Sequence, residues 1–298
     1  MSCKGPFYGR NTNKPSEGST INGYYIESLI ATTNCSFVYL GKNTSSNEKK
    51  VLKFVKYTRG NVERIEREVE IMRMVNNSNI IKLEDSFRYE AYMIIVTPYA
   101  PYNDLDLFIK KNYPNGVPEK IARIIFQQMI EAVNYLHELS ICHRDIKLEN
   151  FLVFGSDIES PHIVLSDFGF SIELQEDEQL EEFCGTPEYM APEIYNFDGY
   201  DEKADIYSLG ISLYKLLTAT LPFTLPKNFP PQQMSQILQG EIDLSNLKNQ
   251  NISKEAISLV RKMCSTDTMK RIGAKAALSS NWFNSKPKKT KKRRQAKN

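Results

Sequence analysis

Hydrophobic positions between residues 23 and 96 fall mostly in short runs of the kind found in β-strands. Short β-branched or aromatic runs, separated by polar turns such as KNTSSNE, read YYIESLI, SFVYLG, KVLKFVKY and AYMIIV. Runs of this kind predict the strands of an antiparallel sheet. One helix is predicted between them from four apolar residues that recur at helical spacing, Val62, Ile65, Val69 and Met72.

After Asp104 the pattern becomes helical. The segment DLDLFIKKNY ends at Pro114, and Pro118 opens a longer helix with one apolar stripe. A later segment, ADIYSLGISLYKLLTA, is apolar around most of its circumference and is predicted to be buried. A small strand-rich part followed by a larger helical part predicts two lobes with a cleft between them.

The composition is that of a globular protein. With 298 residues, 41% of them hydrophobic and 25% charged, the chain can bury a core and is neither collagen-like nor wholly disordered. No apolar run is long enough to cross a membrane and no signal peptide is visible, so a soluble intracellular protein is expected. The five cysteines are scattered without a CxxC pair, which predicts reduced thiols and no zinc site.

Both ends of the chain differ from its middle. Residues 1–21 are rich in Asn, Ser, Thr, Gly and Lys and are predicted to be a flexible leader. Residues 284–298 hold eight of the 38 Lys and Arg residues and no acid. The remaining chain therefore carries 30 basic against 36 acidic side chains, and its globular part is mildly acidic.

Two short polar segments carry the candidate chemistry. They are HRDIKLEN, residues 143–150, and SDFG, residues 166–169, and each adjoins a strand-like apolar run. Their acids are therefore expected at strand ends, where loops face a cleft. Asp145, Asn150 and Asp167 supply a base and hard oxygen ligands, the set needed for magnesium-assisted phosphoryl transfer to a hydroxyl.

These residues belong to an ordered series of motifs by which residues 22–283 resemble the eukaryotic serine/threonine protein kinases. The series is Lys53 in KVLK, Glu68 in REVEIM, HRDIKLEN, DFG, GTPEYMAPE, DIYSLG and Arg271 in DTMKRIG. One match alone would be weak, but seven in the family's order and spacing are specific. HRDIKLEN and FCGTPEYMAPEI look most like the calcium/calmodulin-dependent and AMP-activated branch.

The resemblance implies an α+β, bilobal protein kinase fold. A small antiparallel-sheet N-lobe with one helix would span residues 22–97, with a hinge at 98–103. A larger, mainly helical C-lobe would span residues 104–283, followed by the basic tail at 284–298. The implied activity is ATP-dependent transfer of the γ-phosphate to Ser or Thr hydroxyls of protein substrates.

By the same resemblance, Asp145 orients the acceptor hydroxyl and receives its proton. Lys147 would neutralise the transferring phosphate, while Asn150 and Asp167 would hold Mg²⁺. Asp145 could instead cap a turn, although Lys147 and Asn150 at the family's offsets speak against that.

The sequence also predicts an ion pair in the N-lobe. Lys53 alone could be a solvated strand residue. However, Glu68 shares the inward face of its predicted helix with Ile65 and Met72 and needs a cationic partner there. Family analogy supplies Lys53, whose ammonium would then reach the α- and β-phosphates of ATP.

The resemblance also places the adenosine of ATP. Adenine would lie among four apolar side chains, Ile30, Val38, Val51 and Leu152. The backbone of Pro98 and Ala100 would bond its edge. Asp104 occupies the position that usually binds a ribose hydroxyl, but it could equally cap the helix that follows.

The chain departs from the family in its phosphate-binding loop. The three expected glycine positions hold Ala31, Thr33 and Ser36, within ATTNCSFV. Glycines there let backbone N–H groups approach phosphate without a Cβ in the way. Losing one or two such contacts, at about 1.5 to 3 kcal/mol each, would weaken ATP binding tenfold or more. A pseudokinase scaffold with weak or no ATP turnover is therefore the alternative.

Other positions resemble scaffold and regulatory elements of the family. Glu193 and Arg271 are expected to form a structural ion pair, and Asp205 should accept hydrogen bonds from the backbone around His143. The segment between Gly169 and Gly185 has a single hydroxyl residue, Ser171, and six acids from Glu173 to Glu182. Glu181 and Glu182 fill the place where many relatives carry a phosphate, so activity without activation-loop phosphorylation is expected. The acids could instead make only a solvated loop.

Partners follow largely from the family. Protein substrates are expected. The basic tail lacks the apolar anchors of a calmodulin target, so no calmodulin dependence is expected. The tail is interpreted as a solvated arm, with nuclear import or contact with nucleic acid or acidic partners as alternatives. We expect a cytoplasmic or nuclear protein without membrane association, and a monomer.

Overall fold

The computed structural model describes residues 14–33, 36–176, 178–224, 238, 240 and 242–284. Its N-lobe is a six-stranded antiparallel sheet. In chain order the strands are β1 (Thr20–Ile21), β2 (Tyr24–Thr32), β3 (Ser36–Asn43), β4 (Lys49–Lys56), β5 (Asp85–Tyr89) and β6 (Tyr92–Pro98). Their order in space is β1-β2-β3-β4-β6-β5, so each strand but one neighbours the strand next in sequence.

Alternation along β4 assigns the two faces of the sheet. Leu52 and Phe54 are fully buried on the outer face, where the Phe54 ring meets Tyr39 and Tyr92 edge-on. Residues of the opposite parity face the C-lobe, and among them Val55 packs into the large core that runs through both lobes. Lys53 has this second parity, so the strand period directs it into the cleft.

One helix, α1 (Val62–Met74), follows β4, as the apolar spacing predicts. Its buried residues include Ile65, Val69 and Met72, and Glu68 is buried with them. The expected inward orientation of Glu68 is therefore present in the structure.

The described C-lobe is mainly helical. Its helices are α2 (Leu105–Asn112), α3 (Glu119–Glu138), α4 (Pro192–Asn196), α5 (Lys203–Thr218), α6 (Ser245–Asn249), α7 (Lys254–Met263), α8 (Ala274–Leu278) and α9 (Asn281–Asn284). Two small antiparallel pairs face the cleft, β7 (Ile141–Cys142) with β10 (Ile172–Glu173), and β8 (Phe151–Val153) with β9 (Ile163–Leu165). The predicted α+β bilobal fold is confirmed. Within the described residues, no helix has both the length and the apolarity to cross a bilayer.

Helix α5 lies in the centre of the C-lobe. All but two of its residues are buried, which agrees with its apolar circumference. It packs against α3 and α7, and its N-terminus lies against the segment that follows β7.

The predicted leader is ordered where it is described. Thr20 and Ile21 pair with β2, and the Tyr39 hydroxyl donates to the Pro15 carbonyl at 2.9 Å. A boundary at residue 22 thus falls after the first strand, because Ile21 completes the outer apolar face of the sheet. Residues 1–13 and the tail from residue 285 onward lie outside the described residues.

Candidate active site

A buried carboxylate fixes the segment that follows β7. Asp205, in the first turn of α5, accepts the backbone N–H groups of His143 and Arg144, both at 2.8 Å. Burial opposes ionisation of Asp205, but hydrogen bonds from His137 and the His143 backbone outweigh it and lower its pKa. Arg144 adopts a positive φ of 67°, a strained conformation that these bonds help to hold.

Asp145 comes next and is surrounded by donors. Its Oδ2 accepts from the Lys147 ammonium at 2.7 Å and from the Asn150 amide at 3.0 Å. Its Oδ1 accepts from the Thr186 hydroxyl at 2.7 Å, and Lys147 donates to that hydroxyl as well, also at 2.7 Å. One carboxylate, one cation and one hydroxyl are therefore assembled at the base of the cleft.

Lys53 joins the two lobes through two acids. Its Nζ lies 2.7 Å from Glu68 Oε1 and 2.8 Å from Asp167 Oδ1. Burial disfavours the ammonium, but attraction by Asp167 and Glu68 outweighs it and raises the pKa of Lys53. Attraction by Lys53 in turn lowers the pKa of Asp167 despite burial, so Lys53 and Asp167 are both charged at neutral pH.

The apolar residues expected around adenine lie on the strands that enclose the cleft. In the sheet, Val38 is opposite Lys53, and Val51 is opposite Thr97. Leu152 reaches the same region from the C-lobe, on β8. Ile30, on β2, is exposed, as expected for a side chain at the cleft mouth.

The hinge region carries the capping interaction that the sequence left open for Asp104. Its Oδ1 accepts the backbone N–H of Leu107 at 2.9 Å, which is the N-cap bond of α2. Asp104 also bridges to Leu152 through the backbone, which brings it to the cleft. Pro98 ends β6, and Ala100 precedes the turn that leads to Asp104.

The glycine-free loop is closed by hydroxyl groups. Thr33 Oγ1 and Ser36 Oγ are 2.8 Å apart, and the Ser36 backbone N–H donates to Thr33 Oγ1 at 3.0 Å. Ala31 pairs with Val38 across the hairpin. The two strands pair up to the loop although it lacks glycine, with register shifts between Ile26 and Ser28 and between Leu29 and Ala31.

Two side chains have the chemistry of magnesium ligands. The Asn150 amide nitrogen donates to the Asp145 carbonyl at 2.8 Å and to its carboxylate, which leaves the amide oxygen for another partner. Lys53 donates to Asp167 Oδ1. The other oxygen, Oδ2, accepts no hydrogen bond within the part of the chain that the structure describes. Amide and carboxylate oxygens are the hard donors that Mg²⁺ prefers, so this pair fits the ion.

The segment after DFG is anchored on Arg144. The buried guanidinium donates to the Phe170 carbonyl at 2.6 Å and to Glu182 Oε2 at 2.8 Å. The Tyr200 hydroxyl contacts the guanidinium at 3.3 Å and donates to the Glu182 carbonyl at 2.8 Å. On the other side, the Arg64 guanidinium lies 3.9 Å from the centre of the Phe170 ring.

The expected ion pair between Glu193 and Arg271 is also present, and an aromatic contact lies beside the site. Arg271 donates from both terminal nitrogens to the Glu193 carboxylate, at 2.5 and 2.9 Å. The His143 ring meets Phe168 edge-on at 5.3 Å, in the core that also contains Met72.

Sequence reasoning missed several contacts around the site. These contacts join segments that are far apart in the chain. They are the hydrogen bonds of Thr186 with Asp145 and of Arg144 with Tyr200, and the stacking of Arg64 on the Phe170 ring. The GTPEY motif contains Thr186 and could have pointed to it. Tyr200 and Arg64 carry no comparable motif.

Comparison with known proteins identifies relatives of the whole folded unit. Residues 24–283 match the sequence model of the protein kinase domain. Serine/threonine-protein kinase SIK1 of Rattus norvegicus is 31% identical over 94% of this chain and 34% of its own length. The probable serine/threonine-protein kinase fhkD of Dictyostelium discoideum is 33% identical over 91% and 38%. Myosin light chain kinase A of the same organism is 31% identical over 84% of both chains. The chain thus spans little more than a third of the first two relatives.

Proposed function

The chain belongs to the protein kinase family, and we propose that it transfers the γ-phosphate of ATP to Ser or Thr hydroxyls of protein substrates. The observation that carries this proposal is the set of donors that Lys147, Asn150 and Thr186 direct at the Asp145 carboxylate. A carboxylate held by fixed donors can orient an incoming hydroxyl with little reorganisation.

The roles of the surrounding residues follow from their charge. Asp145 would accept the hydroxyl proton as the phosphoryl group arrives, and Lys147 would balance the negative charge that then develops. Lys53, held by Glu68, would bind the α- and β-phosphates. Mg²⁺, held by Asn150 and Asp167, would supply charge neutralisation between the phosphates.

We further propose that the enzyme is active without phosphorylation of its activation segment. Glu182 already brings a carboxylate to Arg144 at 2.8 Å. Ser171, the one hydroxyl residue in the sequence between Gly169 and Gly185, is buried. A buried serine is a poor substrate for another kinase, whereas Glu182 supplies a carboxylate without any modification.

The alternative is a pseudokinase scaffold. It is favoured by Ala31, Thr33 and Ser36, which stand where glycines are expected in the phosphate-binding loop. Against it stands the charge arrangement of the cleft. A scaffold needs neither Lys53 between two carboxylates nor the three donors directed at the Asp145 carboxylate, and maintaining buried charge has a cost.

A phosphotransfer assay separates the two. The 298-residue chain, supplied with MgATP, should transfer phosphate to a generic serine-rich protein substrate, and Asp145→Asn should reduce the rate at least about a hundredfold. Asn keeps the size of the side chain and removes its charge. Equal rates for the two proteins would reject the enzyme and leave the scaffold.

A further inference from the structure

A lysine beside the acceptor site is enclosed by acids. Lys215, in the last turn of α5, has a side chain only 14% exposed. Its Nζ lies 2.7 Å from Asp106 Oδ1 and 3.1 Å from Glu149 Oε1, and it donates to the Tyr189 hydroxyl at 2.9 Å. We call these four residues the Lys215 cluster.

The cluster adjoins the catalytic carboxylate. Glu149 lies on the short turn Leu148–Asn150, four residues after Asp145. Tyr189 follows Thr186, whose hydroxyl donates to Asp145, by three residues. Tyr189 also contacts Glu149 directly, at 3.3 Å. Through Glu149 and Tyr189 the cluster is thus joined to the two segments that carry and contact Asp145, beside the place where the acceptor serine would bind.

Without Lys215 this surface would be an anionic recess. Asp106 is buried, with 8% of its side chain exposed, while Glu149 is 40% exposed and accessible to a substrate side chain. Lys110 takes the other oxygen of Asp106 from the solvent side. With both lysines in place, the two carboxylates are balanced by two ammonium groups.

Lys215 remains charged in this setting. Burial disfavours its ammonium, but the hydrogen bond to Asp106 and the attraction of Glu149 outweigh it, and its pKa is raised. A substrate cation that approached Glu149 would meet this ammonium within a few ångströms. Like charges repel strongly in a site from which water is partly excluded. Lys215 therefore disfavours substrates with a basic side chain at this position, in addition to stabilising the fold.

We infer that Lys215 is a specificity-determining residue that occupies the Glu149–Asp106 recess from within and excludes basic substrate side chains from it. The preferred substrates then carry uncharged residues at the position that faces Glu149. This inference rests on the proposed kinase activity and names its substrate class.

Peptide selectivity tests the inference. The 298-residue chain would be assayed for kcat/KM on serine peptides that carry either Arg or Ala at one position, with that position moved from about five residues before to about four after the acceptor. We expect no position at which Arg improves the wild-type rate by tenfold. In Lys215→Met and Lys215→Glu, one position should gain about tenfold in the Arg to Ala ratio, because a freed Glu149 can form a charge-assisted hydrogen bond.

Two further variants locate the effect. Lys110→Met removes a lysine that also contacts Asp106 but is 67% exposed, and it should keep the wild-type ratio within about twofold because water screens its charge. Adding Glu149→Gln to Lys215→Met should abolish the gain, since the new partner of Arg is removed. Thermal melting would check that each variant folds.

The possible results separate failure of the specificity inference from failure of the proposed catalysis. A wild-type enzyme that already prefers Arg at one position by tenfold would overturn the inference, as would unchanged ratios in both Lys215 variants. If no peptide is phosphorylated by any variant, the proposed catalysis fails. Titration of fluorescent Arg and Ala peptides then measures the same ratio as binding, so the two failures remain distinguishable.

Discussion

The Arg144 guanidinium donates to Glu182 Oε2 at 2.8 Å, across 38 positions of sequence. Arg144 is almost fully buried, with 3% of its side chain exposed, whereas Glu182 is 55% exposed. The acid therefore comes to the cation from the solvent side, as a phosphate would. Because the same guanidinium also holds the Phe170 carbonyl, it couples the activation segment to the DFG segment.

Removing Glu182 should weaken this coupling. We expect Glu182→Ala to lower kcat about three- to tenfold, less than a buried ion pair would give, because half of the carboxylate is screened by water. The wild-type enzyme should keep its rate after phosphatase treatment. Measuring kcat before and after phosphatase in both proteins checks the prediction.

Controls for Glu182 are available nearby. Glu181 forms no ion pair in the described segment, so Glu181→Ala should behave as wild type. In an Arg144→Ala background the further effect of Glu182→Ala should nearly vanish, because the partner is gone. Loss of activity on phosphatase treatment of the wild type would contradict built-in activation without affecting the kinase assignment.

Lys53 should be required for nucleotide use. Lys53→Met removes the cation between Glu68 and Asp167, so the rate at saturating substrate should fall at least about a hundredfold. Lys50→Met is the matched control on the same strand. Lys50 is buried and pairs with Glu84 at 2.7 Å, away from the catalytic acids, so its loss should lower the melting temperature but change kcat little. Similar rates in the two variants would contradict the assigned role.

The sequence predicted such local arrangements well. The inward position of Glu68 followed from helical spacing, the place of Asp167 followed from the end of a predicted strand, and the place of Lys53 followed from family resemblance. Glu182 could be proposed as a substitute for a phosphate because only charge and family position were needed.

Contacts between distant segments could not be read in this way. Asp106 and Lys215 are on different helices, and neither helix pattern specifies how the two pack. The pairing of Thr20–Ile21 with β2 was missed for a similar reason, since two residues are too short to show a period. Asp104 caps α2, while its expected contact with ribose stays a prediction.

The glycine-free loop gives a third prediction. If the Thr33 side chain crowds the phosphates, Thr33→Gly should lower KM for ATP several-fold and change kcat less. Thr33→Ser separates the two parts of this side chain, because it removes the methyl group but keeps the hydroxyl that bonds Ser36 at 2.8 Å. We expect Thr33→Ser to lower KM in the same direction but less. Unchanged or higher KM in both variants would show that the loop tolerates a β-branched residue.

The Glu193–Arg271 pair gives a prediction on stability. The Arg271 side chain is fully buried, and besides Glu193 it donates to the backbone carbonyls of Ser265 and Lys203, at 2.9 and 3.0 Å. Glu193→Ala leaves a buried guanidinium without its anion, so the free energy of unfolding should fall by about 3 to 5 kcal/mol. For a chain of this size that lowers the melting temperature by roughly 10 °C. The double variant Glu193→Ala, Arg271→Met should lose less free energy of unfolding than the two single variants lose in sum. Arg271→Met removes the charge that Glu193→Ala leaves unpaired. A Glu193→Ala protein that melts within about 2 °C of the wild type would contradict the scaffold role, since the pair would then contribute no more than a surface ion pair does.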